Sequence, residues 1–198
     1  MSSLWIIVAV SLAVLFITLG TSANVAFKSP NTSLVVAIKF AFFMAVSYFC
    51  FYCIGVWMTG FLLNIIPSKM WSIAASILFF AVAVKIAWNV FSRKSENHAY
   101  NLSKTVVQFM FSIIGGFNAL IISAGLTFFQ ISTGFLFTRN LILKTALIVI
   151  LGAFVGSMIG AGLSAETAKK VNKLRPAILG GVMMLALGGW VFACRGVI

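Results

Sequence analysis

The chain has 198 residues, 62% of them hydrophobic and 8% charged, with a mean hydropathy of +1.15. These values exclude the balance of an ordinary soluble domain and match a polytopic membrane protein. A net charge of +12 raises nucleic acid as a partner, but the basic residues stand at helix ends and in short loops, where membrane topology accounts for them and no nucleic acid is expected.

Crossing a hydrocarbon core about 30 Å thick takes roughly 20 apolar residues. Six runs reach that length, near 4–27, 34–63, 69–92, 105–128, 140–163 and 175–194. The first has no basic flank, is too long for a signal-peptide core and runs into Thr-Ser-Ala-Asn, so it is expected to stay as a helix. Its second half, LGTSANVAF, carries Ser22, one turn after Thr18, and Asn24 two residues beyond that. The second run holds Lys39, Ser47 and the pair Cys50-x-x-Cys53. With no basic neighbour to favour a thiolate, the two thiols read as small packing residues rather than a metal or redox pair.

Pro67 opens the third run and Pro176 the sixth, first-turn positions where a missing N–H costs nothing. Between the third and fourth lies the most polar stretch, SRKSENHAYNLSK, which includes a lone His98. The sequons at Asn31 and Asn101 fall in loops assigned to the cytoplasm, where they are not expected to be used. The fourth run contains GGFNALIISAG, with Asn118 two residues beyond Gly115 and Gly116. The fifth carries Gly152, Gly156 and Gly160 at four-residue intervals, and the sixth has Gly180 and Gly181. Such spacing lines one helix face with small residues and lets backbones approach closely in lipid.

Grouping the loops by side gives one face Lys28, Lys39, Lys85, Arg93, Lys94, Lys104, Lys169, Lys170, Lys173 and Arg175, against Lys69, Lys144, Arg139 and Arg195 on the other. The positive-inside rule then puts the 93–104 and 164–174 loops in the cytoplasm and both termini outside. Lys39 and Lys85 stand within a turn or two of the cytoplasmic ends, where long side chains snorkel to the interface; the alternative is that one of them faces the bundle as a fixed charge, and Lys144 is comparable near the opposite face. Trp5, Trp71 and Trp190 fall near helix ends as interfacial anchors.

The polar linker divides the chain into a three-helix unit at 1–92, a cytoplasmic linker at 93–104 and a second three-helix unit at 105–198. Three helices is an odd number, so if the units are repeats they have opposite orientations. The fold expected is all-α, with six transmembrane helices in two three-helix inverted repeats.

AFFMAVSYFCFYCIGVWMTG, GGFNALIISAGLTFFQ, LGAFVGSMIG and AILGGVMMLALGGWVF, taken in order, resemble the MntP-type manganese efflux pumps of bacteria, within the LysE-like transporter superfamily. The resemblance spans nearly the whole chain and implies export across the inner membrane through intramembrane carboxylates. Here the Asp of the fourth helix falls on Asn118, the Glu of the second on Ser47, and the Asp of the first on Ser22 or on Asn24. None keeps its charge. The chain's acids are Glu96 and Glu166, both in loops, so Asn118, Ser22, Asn24, Ser47, Thr18 and backbone carbonyls make up a neutral oxygen path. Such a path suits a monovalent cation or a neutral polar solute better than a hard divalent ion.

No group of residues meets the requirements of acid–base or nucleophilic catalysis, so an enzyme is not expected and no cofactor is called for. Two readings follow: a cation-efflux carrier, or a non-transporting relative that serves as a structural or assembly subunit of a larger membrane complex. The partners expected are the bilayer, a small cation, and further membrane subunits or a second copy of the chain.

Overall fold

A computed structural model describes residues 3–29, 33–91, 101–133 and 139–193. All regular structure in them is helical: α1 (Ser3–Phe27), α2 (Leu34–Leu62), a 3-10 turn (Ser68–Met70), α3 (Trp71–Phe91), α4 (Thr105–Ser132), α5 (Arg139–Gly162), α6 (Ala165–Leu174) and α7 (Pro176–Ala193). Among the described residues six helical segments are long and apolar enough to span a membrane. The expected segments agree to a residue or two except in the fourth, which continues past 128 to Ser132 because Leu126, Phe128, Phe129 and Gln130 are still buried. Residues 164–174, read as a loop, hold the short helix α6. Ser164 caps it by accepting from Thr167 N, Glu166 stands in its first turn and Lys173 in its last, which are the charge preferences of the helix dipole.

The packed helix pairs close a ring in the order α1, α5, α2, α4, α3, α7 and back to α1, with α6 lying against α1. The points of closest approach give the directions. Gly152, Gly156 and Gly160 of α5 meet Ser11, Leu15 and Leu19 of α1 in rising order, so α1 and α5 run parallel. Gly115 and Gly116 of α4 meet Met44 and Ser47 of α2, while Gly55 of α2 meets Leu120 further along, so α2 and α4 are parallel too. Gly180 of α7 lies on Ala13 and Ile17, and Gly20 on Ala177, so α7 runs against α1; Gly181 near Ile86 and Gly188 near Phe80 make it antiparallel to α3 as well.

These glycines are where the sequence pattern becomes packing. A Cβ placed on Gly152 would lie 2.8 Å from the Ser11 carbonyl oxygen, on Gly160 2.6 Å from that of Leu19, and on Gly180 2.7 Å from that of Ala13. Lipid tails are as apolar as leucine, so close backbone contact rather than water exclusion holds such pairs together. Gly181, 3.4 Å from the nearest Ile86 atom, is in ordinary contact and less demanding. Around the ring the interior is filled by Tyr48, Phe40, Phe79, Phe128, Met44 and Met184, all essentially inaccessible. The outer surface is apolar as well, with Phe42, Trp57, Ile77, Val84 and Leu185 well exposed, as a lipid-facing surface requires.

Candidate functional site

Two polar locations emerge, each held by a different parallel helix pair. On α1, Thr18 and Ser22 are fully buried against α5. Thr18 Oγ1 donates back to Val14 O at 2.9 Å and Leu15 O at 3.1 Å, its hydroxyl satisfied within its own helix. Ser22 packs its Cβ against Gly160, and its hydroxyl oxygen has no hydrogen-bond partner among the described residues. Asn24, one turn on from Gly20, is also buried.

The second location lies between α2 and α4. Ser47 Oγ donates to Ser112 O at 2.7 Å and sits against Gly116. Its hydroxyl is used up as a tie between helices, so it is a clasp rather than an open ligand. Asn118 is 9% exposed. Tyr48 is wholly buried and neighbours the Asn118 side chain, and among the described residues Tyr48 Oη and Asn118 Oδ1 have no hydrogen-bond partner. Two unsatisfied polar oxygens in a membrane interior cost several kcal/mol by transfer estimates, roughly 1–3 each by mutational ones. Gly115, in contact with Met44 and near Tyr48, completes this corner.

Of the expected path residues, then, Asn118 and Ser47 share the α2–α4 pair, whereas Thr18 and Ser22 belong to α1–α5. Tyr48 is not among them; its signal in the sequence is a phenol inside an apolar run, one residue after Ser47. The rest of the buried polar face of α4, namely Gln108, Ser112, Ser123, Thr127 and Gln130, is likewise outside the expected set. Gln108 Nε2 donates to Leu102 O at 2.8 Å, which ties the start of α4 to the preceding turn, while its Oε1 is unpartnered.

The charged and sulfur residues behave differently from one another. Lys39 is exposed and donates to Thr105 Oγ1 at 3.1 Å, at the end of the bundle, as snorkelling predicts. Lys85 does not follow that expectation. It is half-buried, and its ammonium lies 5.9 Å from the Phe117 ring centroid, deep along α4. The Cα–Cβ bond tilts toward a helix's N-terminus, so a lysine on α3 starts out away from the α6 end, and the Phe117 ring takes the ammonium in a cation–π contact. Lys144 is exposed. Cys50 and Cys53 are both exposed on α2, which corrects the expectation of packing residues: they face outward.

His98, Asn31, Cys194 and most of the 93–104 linker lie outside the described residues; Asn101 is exposed, its side-chain oxygen accepting from Ser103 N at 3.1 Å. Among the described residues no three His, Cys, Asp or Glu side chains gather as a metal site would need. Comparison with protein-family models, with curated proteins and with solved structures gives no match to this chain.

Proposed function

We propose that the chain is a six-span inverted-repeat carrier of the bacterial inner membrane, similar in plan to the MntP-type efflux pumps, moving a small cation by alternating access past neutral oxygens. One observation carries the reading. Exchanging the two halves, α1 for α4, α2 for α5 and α3 for α7, leaves the set of packed spans unchanged: α1–α5 becomes α4–α2, α1–α7 becomes α4–α3, and α2–α5 and α3–α7 return to themselves.

Atomic contacts repeat along with the pairs. A Cβ on Gly156 would meet Leu15 O and Thr18 Oγ1; a Cβ on Gly55 would meet Leu120 O and Ser123 Oγ. In both places a hydroxyl back-bonds to the leucine three residues earlier. The same register pairs Gly20, packed on α7, with Gly125, packed on α3, and aligns LFITLG with LIISAG. It sets Ser22 against Thr127 and Asn118 against Ala13, so in this register Asn118 has no amide counterpart in the first helix.

An inverted repeat offers two conformations of similar energy, related by swapping the roles of its halves, and that supports alternating access. The unsatisfied oxygens of Asn118, Tyr48 and Ser22 are the ligands this reading assigns to the path. Being neutral, they favour a monovalent cation over Mn²⁺.

The test is tracer uptake into vesicles holding the purified protein, with rubidium and manganese compared. The native chain is expected to carry rubidium and not manganese, and Asn118→Asp with Ser47→Glu to gain manganese uptake and manganese tolerance in a pump-deficient bacterium. Vesicles that carry neither ion with either protein would exclude the carrier. The subunit reading is favoured by Lys85, a half-buried cation in a chain whose spans α1 to α5 and α7 hold no acid; a stoichiometric partner retained in mild detergent would support it.

A further inference from the structure

We propose that the corner between α6 and α7 is a binding site for the phosphate of an anionic phospholipid, with Arg175 as its central ligand. This inference is independent of transport. α6 fills the interval between Gly162, the last residue of α5, and Pro176, the first of α7. Both neighbours are membrane spans, so α6 lies at the boundary between bilayer and water. It packs against α1, buries Ala168, and leaves Lys169, Lys170 and Lys173 exposed. Glu166, at the far end, is the acid of this helix.

Arg175 is the non-glycine residue with positive φ among the described residues, at φ 47° and ψ 56°. It closes α6 by donating its N–H to Asn172 O at 3.2 Å. This left-handed position at a helix C-terminus is filled most easily by glycine or asparagine, so the backbone gains nothing from an arginine, and what the residue contributes is its side chain. That side chain is exposed, with its guanidinium carbon 5.8 Å from the centroid of the Phe91 ring at the end of α3. A cation–π contact holds the guanidinium near the ring, and its N–H fork is the part of an arginine that matches a phosphate.

The neighbourhood suits a lipid rather than a free anion. Phe91 is 71% exposed and Leu174 78% exposed, giving acyl chains an apolar surface directly beside the cation. Three lysines on the adjoining helix add attraction to an anionic leaflet, about five-fold in affinity for each basic residue at the surface.

The experiment compares thermal unfolding and lipid retention of the whole chain in detergent with added phosphatidylglycerol, phosphatidylcholine or inorganic phosphate. Phosphatidylglycerol is expected to raise the Tm and to be retained at least about five-fold more than phosphatidylcholine, with inorganic phosphate ineffective. Arg175→Gly, which fits the backbone, should keep the Tm measured in phosphatidylcholine and lose its own share, about five-fold, of the preference for phosphatidylglycerol. Arg175→Gln, which keeps the side-chain length, should lose it too, and Arg175→Lys should keep part of it. Equal retention of the two lipids, a full phosphatidylglycerol response in both the Gly and Gln variants, or an equal effect of inorganic phosphate would each overturn the proposal.

Discussion

Gly156 lies so close to Leu15 that a Cβ on the glycine would meet the leucine carbonyl oxygen inside any real contact distance. The obstacle is helix backbone, which cannot rotate aside as a side chain would, so α1 and α5 would have to separate along their length. Gly156→Ala is therefore expected to destabilise the protein by at least about 2 kcal/mol, in the upper part of the range for overpacked cores. Gly189 has nothing within 4 Å of its virtual Cβ, and Gly189→Ala should be neutral or stabilising by up to about 1 kcal/mol, the helix-propensity gain. Thermal unfolding of both variants in one detergent checks the contrast; equal losses would remove the close contact as the cause.

The second half of the ring makes the matching prediction. Gly55 meets Leu120 O and Ser123 Oγ, so Gly55→Ala should cost as much as Gly156→Ala, within about 1 kcal/mol given the context dependence of overpacking. The two sites are held by separate helix pairs, so their effects are expected to add within about 0.5 kcal/mol in the double variant.

Much of this fold is legible in the sequence because the bilayer imposes a length and a polarity on each span. The glycine ladder of α5 is legible for a related reason: four-residue spacing fixes one face, although not which helix lies against it. The site is less legible. Ser47 reads as a ligand position, but its hydroxyl is committed to Ser112 O, a bond that depends on how α2 and α4 are docked. Tyr48 passes as one aromatic among many until its burial and its position beside Asn118 are known. The register of the proposed repeat is hard to read in the sequence because the asparagines stand out, whereas the contacts that support it involve glycines and hydroxyls.

Tyr48 Oη and Asn118 Oδ1 are buried and have no hydrogen-bond partner among the described residues. Removing the phenol oxygen therefore removes a desolvation cost without breaking an aligned bond. Tyr48→Phe is expected to leave stability unchanged within about 0.5 kcal/mol or to raise it by about 1 kcal/mol, while lowering the tracer flux expected of the native chain. A large loss of stability would instead show that the phenol is hydrogen-bonded in the bilayer.

Cys50 and Cys53 are three residues apart and both exposed on α2, so they lie on one outward face of the helix in the middle of a span. A lipid-soluble maleimide is expected to label both in intact membranes, whereas a charged, membrane-impermeant thiol reagent should label neither. Replacing both by Ala should shift stability by no more than about 0.5 kcal/mol, the usual limit for positions outside the packed interior. Labelling by the charged reagent would place this face of α2 against water, and would turn the outer surface beside Phe49 and Ile54, exposed on the same helix, from a lipid boundary into the wall of an aqueous path.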